Sequence, residues 1–451
     1  MKKSLIYNPS FRSFFRYILK ISLLSTVIIL VFSFSFILAD TFDGNLLITP
    51  KSNGNELNVT SLIDVNYNVV NSWSSDCEIA SMAYLLPDSS LLYPCSQDFP
   101  VFGEIAALGG RIIKYSWDGN ILWDWQCEYH FQLHHDIQPL PNGNILAIAM
   151  EQIEPGIRAD VIIEIKPEGL NGAEIVWEWH AWDHRGSNNP FKFDDTLPFN
   201  MTDWNHFNSI SINDMNRIYL SSRNWSEFYV IDWRTNGDIL YRWGNPQNYG
   251  RGEESDRALD ANHGVNEIPY GYPGRGNIII FNNRSNNPET SEENLYSTVM
   301  EISPDINKDG SYFIDDTKPF GPTKSVWEYE NDFYSGRQSG AFRLPNGNTL
   351  VTVAAESYIF EVTYEKEIVW EFVSLEGNIQ NSQKYATDYF NIQGDLNDDN
   401  IINILDIIQL SNFIINQDIP SYQDLILADM NKDGFINILD IIVIVTLIFS
   451  N

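Results

Sequence analysis

The stretch "LPNGNILAIA", residues 140 to 149, decides the fold. Pro-Asn-Gly-Asn is turn chemistry, and Asn-Gly beside an apolar, β-branched run is a hairpin signal. "VIIEIKPEG" (161–169) and "EIVWEW" (174–179) follow it. The order is turn, strand, second strand, turn, and a strand ending in tryptophan. That order recurs from "DGNLLI" (43–48) to "SLIDVNYNVVNSW" (61–73), and from "LPDSSLLYP" (86–94) to "RIIKYSWDGNILWDW" (111–125). It returns from "NDMNRIYLSS" (213–222) to "FYVIDWRTNGDILYRW" (228–243), and from "PGRGNIIIF" (273–281) through "TVMEISPD" (298–305) to "SVWEY" (325–329). "LPNGNTLVTV" (344–353) with "YIFEVTYEKEIVWEF" (358–372) completes six units. Six antiparallel units, each closing on an aromatic, predict an all-β six-bladed propeller over residues 42–376. A β-sandwich with extra strands accounts for the strands but not for the sixfold recurrence.

The rest of the composition narrows the class. The chain has 451 residues and a net charge of −32, so a nucleic-acid or anionic-membrane partner is disfavoured. Its cysteines are Cys77, Cys95 and Cys127, with no CxxC pair to suggest a zinc ribbon or thioredoxin site. Cys77 and Cys95 are expected to bridge at the ends of one hairpin, leaving Cys127 outside. Lys2, Lys3, Arg12, Arg16 and Lys20 precede an apolar run from Ile21 to Ala39, with Asp40 after it. Residues 1–40 therefore read as a secretory signal. The alternative is an uncleaved anchor, since the run is just long enough to span a bilayer. Export outside the cytoplasm follows either way, and contact with a membrane only if the segment stays.

The C-terminal end carries metal-ligand spacing. "DLNDDNIINILD" runs from Asp395 to Asp406 and "DMNKDGFINILD" from Asp429 to Asp440. Calcium wants six to eight oxygens wrapped around one point. In the first loop they come from Asp395, Asn397, Asp399, the Ile401 carbonyl, Asn403 and Asp406. In the second they come from Asp429, Asn431, Asp433, the Phe435 carbonyl, Asn437 and Asp440. Gly434 and Asn400 stand at the sharp turn, where left-handed geometry is needed. Each loop runs into an apolar helical stretch. The paired loops and their Asn-Ile-Leu-Asp endings resemble a type I dockerin over residues 392–451, with 377–391 as a linker. The resemblance implies two structural calcium ions and a cohesin-type partner.

The histidines come next. His135 lies nine residues before Asn144, His206 ten before Asn216, and His263 fourteen before Asn277. Three histidines thus share one place in successive units. In a propeller the strand entering this turn lines the central channel, so the three point at a common space. The returning strand brings Arg223 back, seven residues after Asn216. By the same count Arg284 follows Asn277 and Glu151 follows Asn144. Imidazoles with a guanidinium suit an oxyanion. His134 cannot share the face of His135 on a strand. His130, His180 and His184 sit in aromatic connectors and read as packing.

In this order "HHDIQPLPNGN", "DWNHFNSISIND", "IYLSSRN" and "NHGVNEI" resemble the arylsulfate sulfotransferase family. The resemblance implies a six-bladed propeller that works outside the cytoplasm without a nucleotide sulfate donor. It implies that His263 takes a sulfuryl group from an aryl sulfate and passes it to a phenolic acceptor, by ping-pong kinetics. His135, His206 and Arg223 would surround that group, and no catalytic metal or organic cofactor is implied. Two other readings are open at this stage. One is a non-catalytic glycan- or protein-binding propeller. The other is a polysaccharide lyase or hydrolase using Glu151 and Tyr219.

Overall fold

The computed structural model describes residues 40–51, 57–97, 100–102, 107–127, 131–186, 189–193, 202–213, 215–233, 237–284, 295–387, 389–390, 393–397, 401–415, 417, 420, 422–431 and 435–450. The segment read as a secretory signal lies outside them up to residue 39.

Six four-stranded antiparallel sheets form the blades of a propeller. Blade 2 runs Tyr84–Leu85, Leu91–Ser96, Gly110–Tyr115, Ile121–Gln126, and blade 3 runs Gln132–Pro139, Ile145–Glu154, Ile157–Glu168, Gly172–His180. Blade 4 runs Phe207–Ile212, Arg217–Ser222, Glu227–Asp232, Ile239–Trp243, and blade 5 runs His263–Glu267, Ile278–Asn282, Thr298–Ile302, Trp327–Glu330. Blade 6 is Gly340–Arg343, Thr349–Val353, Tyr358–Val362 and Ile368–Val373. The turn in "LPNGNILAIA" joins the first and second strands of blade 3. Gly143 sits there at φ +83°, a dihedral that a β-carbon would penalise.

Blade 1 corrects the sequence reading of residues 377–391. Its strands Gly44–Ile48, Asn58–Ile63 and Val69–Ser75 are joined by Gln383–Ala386, which pairs with Gly44–Ile48. A second short pair joins Pro50–Lys51 to Asn378–Ile379. The segment expected as a linker therefore supplies the innermost strand of blade 1, so the first and last strands of the propeller close the ring. Glu361 of blade 6 fastens the closure. It accepts the Phe42 N–H at 2.6 Å and pairs with Lys384 Nζ at 2.7 Å, with both side chains fully buried. Lys384 holds the C-terminal strand and Phe42 the N-terminal one.

The recurring tryptophan has a single physical reason. Each outermost strand sends one indole N–H to a carbonyl on the next blade. Trp73 reaches Ser116 at 2.9 Å, Trp123 reaches Gly172 at 2.8 Å, and Trp179 reaches Gly237 at 2.8 Å. Trp243 reaches Pro322 at 2.8 Å, Trp327 reaches Tyr364 at 2.8 Å, and Trp370 reaches Val65 at 3.0 Å, closing the circle. The ring buries apolar area between blades, and the indole donor gains a partner as it is buried. Leu146, Ile148, Ile162, Phe207, Ile218 and Leu220 fill one such interface, between blades 3 and 4. Each such side chain contributes about 1.5–3 kcal/mol when fully buried.

Cys77 and Cys95 are disulfide-bonded, with Cα atoms 5.7 Å apart. They do not close a single hairpin. Cys77 follows the outermost strand of blade 1 and Cys95 lies in the second strand of blade 2, so the bridge staples two blades. Cys127 is buried outside the bridge.

Among the described residues, three helices follow the propeller: α1 (Ile404–Ile414), α2 (Tyr422–Ala428) and α3 (Ile438–Ser450). Leu410 and Phe413 of α1 share a small core with Leu427, Ala428 and Ile444. Among the described residues, no helix is long and apolar enough to cross a membrane.

Candidate active site

The first strands of blades 3, 4 and 5 each carry a register shift beside a histidine. Bulges of this kind re-aim side chains. His135 and His206 sit at φ +55° and +50°, a left-handed geometry uncommon for residues other than glycine. For His263 the kink falls on its neighbours, Ala261 at φ +54° and Gly264 at φ +59°. A β-carbon on Gly264 would come within 2.7 Å of Gly340 Cα, so "NHG" needs glycine for both dihedral and space.

The three histidines share one cavity of about 370 Å³ with Arg223, Lys51, Arg337, Gln338 and Gln380. The His135 ring centroid is 4.8 Å from that of His206 and 6.3 Å from that of His263. The arrangement expected from the repeat, with His135, His206, His263 and Arg223 around one space, is present. Arg284 and Glu151 do not line this cavity. Glu151 instead pairs with His180 at 2.7 Å, which holds that imidazolium up to about 9. Tyr219 donates to Glu267. Glu151 and Tyr219 are thus engaged with separate partners, and the lyase arrangement is not assembled. His184 stacks on Trp179 at 4.8 Å, in keeping with packing. His130 lies outside the described residues.

Hydrogen bonds fix which nitrogen of each ring faces the cavity. Asn283 Nδ2 donates to the Ser335 and Gln338 carbonyls at 2.7 and 3.0 Å, so its Oδ1 is the acceptor 2.7 Å from His263 Nδ1. The Ala261 carbonyl also lies 3.2 Å from that nitrogen. Two acceptors require Nδ1 to carry the proton, leaving the Nε2 lone pair free. His206 Nδ1 faces the Asp203 carboxylate, with the same consequence. His135 Nδ1 lies 2.7 Å from His134 Nδ1, and His134 Nε2 lies 3.1 Å from Asp160 Oδ1. Asp160 is fully buried and also accepts the Phe207 N–H.

The electrostatics favour neutral rings at His263 and His135. Burial first, then the Asn283 contact in opposition and the His206 and Arg223 charges, leave His263 at about 3. His135 is held well below the usual imidazole range by burial, then by His206, His134, His263 and Arg223. Burial raises the Asp203 carboxyl, but its hydrogen bond to His206 and nearby positive charge outweigh this and keep it low. The Arg223 side chain has no hydrogen-bond or ion-pair partner among the described residues, and burial together with the Arg284 charge lowers its proton affinity. The Asp260 and Asp203 charges act on Arg223 in the opposite sense. A half-buried guanidinium can hold a tetrahedral oxyanion, and a neighbouring imidazole with a free lone pair can attack it.

The other motif residues are fasteners. Asn208 Nδ2 and Ser221 Oγ both donate to the Asn262 carbonyl, at 2.8 and 3.0 Å, and Ser222 Oγ donates to the Asn205 carbonyl at 2.6 Å. They lock blade 4 to the entry of blade 5 and so fix His206, Arg223 and His263 relative to one another. Sequence reasoning missed Asn283, Asp160, Asp203 and the backing role of His134. Adjacency was a signal for two of them, Asp203 in "DWNH" and His134 in "HHD".

In the C-terminal loops, Asp406 and Asp440 are fully buried. They accept backbone N–H groups from Leu396 at 2.8 Å and Asn403 at 2.7 Å, and from Met430 at 2.9 Å and Asn437 at 2.8 Å. Asp395 and Asp429 are buried beside them. Asn403 and Asn437 cap α1 and α3 through Oδ1, each accepting an N–H two residues on at 2.8 Å. Asn397, Ile401, Asn431 and Phe435 belong to the described loop residues, whereas Asp399 and Asp433 lie outside them. Paired buried carboxylates and amide oxygens form a hard-oxygen donor set that fits calcium. Among the described residues, no three His, Cys, Asp or Glu side chains converge as a metal site, in these loops or in the propeller.

Comparisons with known proteins identify two domains. The model of the arylsulfotransferase (ASST) family matches residues 101–389, and that of the type I dockerin domain matches residues 393–448. No curated protein matches the chain. Among solved structures, a protein of unknown function from Bacteroides caccae is similar at 13% identity and TM-score 0.44, covering 76% of this chain and 98% of that one. A catalytically inactive virginiamycin B lyase from Staphylococcus aureus with quinupristin is similar at 11% identity and TM-score 0.38, covering 73% and 84%. At TM-scores this low, these likenesses say nothing about the chemistry here. Type I dockerins bind calcium and cohesin modules, and both kinds of domain are typical of secreted proteins. The chain therefore belongs to the arylsulfotransferase (ASST) family and carries a type I dockerin domain at its C-terminal end.

Proposed function

We propose that this protein is an exported sulfotransferase that moves a sulfuryl group from an aryl sulfate to a phenol through a sulfohistidine on His263. The carrying observation is the pinned ring. Asn283 Oδ1 lies 2.7 Å from His263 Nδ1 and keeps the proton there, so a bare Nε2 faces a cavity that also holds the Arg223 guanidinium. Nε2 attacks sulfur, the S–N bond forms, and the aryl C–O–S linkage breaks at sulfur with the electron pair leaving on the aryloxide. The charge spreads over the sulfuryl oxygens as it does for a phosphoryl group. Catalysis is then mostly positioning plus the cationic donor Arg223, with His206 held in place by Asp203. A phenol next attacks sulfur, the S–N pair returns to Nε2, and His135 accepts the phenolic proton.

The tail is read as two structural calcium ions and a cohesin-type docking surface, which would tether the enzyme outside the cell. The Cys77–Cys95 bridge supports an oxidising compartment. The test is turnover of a fluorogenic aryl sulfate with and without phenol. Turnover that rises with phenol, with sulfate recovered on the phenol, is expected. Release of free sulfate indifferent to phenol indicates a sulfatase, and absence of turnover favours a binding propeller.

A further inference from the structure

His135 faces a difficulty as a proton acceptor. Its ring is buried and close to His206, His263 and Arg223, and this surrounding holds it well below the usual imidazole range. A phenolic proton resting on His135 would add a second positive charge beside the Arg223 guanidinium. Behind His135, away from the cavity, two buried groups provide an alternative. His134 Nδ1 lies 2.7 Å from His135 Nδ1, and His134 Nε2 lies 3.1 Å from the Asp160 carboxylate. His134 and Asp160 are 2% and 0% exposed, and neither lines the cavity.

We propose that Asp160, His134 and His135 form a proton relay that moves the phenolic proton out of the cavity and stores it on the His134–Asp160 pair. The relay rests on the sulfuryl-transfer reading above. In the resting state Asp160 accepts the His134 Nε2 proton, His134 Nδ1 accepts the His135 Nδ1 proton, and His135 Nε2 is bare. When the phenol attacks, its O–H bond breaks and the proton binds His135 Nε2. The His135 Nδ1 proton passes to His134 Nδ1. The phenol oxygen keeps the electron pair that forms the new S–O bond, and the S–N pair returns to His263. His135 stays neutral throughout, and the positive charge ends on His134 beside the Asp160 carboxylate. The titratable and charged groups around the relay are Asp203, His206, Arg223 and His263 from the neighbouring blades, and Arg158 near Asp203. The stored proton returns to the next departing aryloxide, or to water when that aryloxide needs none.

His134 and Asp160 are thus positioning residues, and acceptor acidity reports their role. A His134→Gln variant is assayed with 4-nitrophenyl sulfate, whose leaving group needs no proton, against phenols neutral and phenols ionised at the assay pH. The expected result is a roughly 10²-fold loss of transfer to neutral phenols, the scale of one general base, with transfer to ionised phenolates within a few-fold of wild type. Asp160→Asn, which keeps an acceptor for the Phe207 N–H, is expected to give the same split. It serves also if His134→Gln does not fold. Equal losses for both classes of phenol, or no loss for either, overturn the relay. A wild-type protein that turns over no aryl sulfate overturns the underlying reading instead.

Discussion

Asn283 Oδ1 lies 2.7 Å from His263 Nδ1, although the two residues are twenty positions apart in blade 5. That contact selects the tautomer with a bare Nε2, and it stabilises the positive charge that develops on the ring as sulfur bonds to it. Asn283→Leu removes the acceptor at similar volume. Release of 4-nitrophenolate in the first turnover is expected to slow roughly 10- to 100-fold, the scale found for losing the partner that orients a metal-bound imidazole. Rapid-mixing kinetics measures it, and an unchanged first turnover would mean that the amide has no part in the attack.

The pH dependence follows from the neutral rings. An ordinary imidazole is half protonated at about 6.5. His263 stays neutral down to about 3. The attacking lone pair is therefore present at pH 5, and the first half-reaction should not lose rate to protonation of His263 between pH 8 and 5. Stability moves the other way. The unfolded chain takes up protons on His135 and His263 below about 6.5 while the folded one refuses them. Their contribution is full above that pH and drains away as the pH falls towards the folded value. Thermal melts at pH 7.5 and pH 5 check this, and a Tm that rises on acidification would contradict it.

Much of the fold was legible because each unit repeats the same local chemistry: a Pro-Asn-Gly-Asn type of turn, two β-branched strands and an indole. Closure was not legible. "QKYA" at 383–386 is four residues long, has no turn signal, and pairs with a strand over three hundred residues earlier. Local pattern carries no information about such a partner. The cavity histidines were legible because repeat-equivalent positions must converge on the axis. Asn283, Asp160 and Asp203 were not, since they act through tertiary contacts with no period. The bulges at His135 and His206 also turn their side chains in a way that strict alternation does not foresee. The disulfide was expected within one hairpin, but strand order placed its cysteines on neighbouring blades.

The closure makes its own prediction. Glu361→Gln leaves the Lys384 ammonium buried without its carboxylate, and losing one partner of such a pair costs about 3–5 kcal/mol. The double change Glu361→Gln with Lys384→Met removes both charges and should recover most of the loss. Denaturant midpoints of the three proteins measure it. A single variant as stable as wild type would show that Glu361 does not hold the ring shut.

The C-terminal helices should depend on calcium. In each loop two carboxylates are buried, Asp395 with Asp406 and Asp429 with Asp440, and burying two like charges on one loop is costly without a cation. Chelation is expected to expose residues 393–448 to proteolysis while the propeller resists, and calcium should restore protection. Identical cleavage patterns with and without chelator would exclude a structural metal there.

The most direct measurement is to trap the intermediate. The protein is mixed with an aryl sulfate and no acceptor, digested at neutral or basic pH, and its peptides are weighed. One acid-labile sulfuryl group on the peptide containing His263 is the expected result, absent from His263→Asn and discharged by added phenol. A sulfuryl group on His135 or His206, or a His263→Asn protein that turns over donor at the wild-type rate, would contradict the assignment of His263 as the nucleophile.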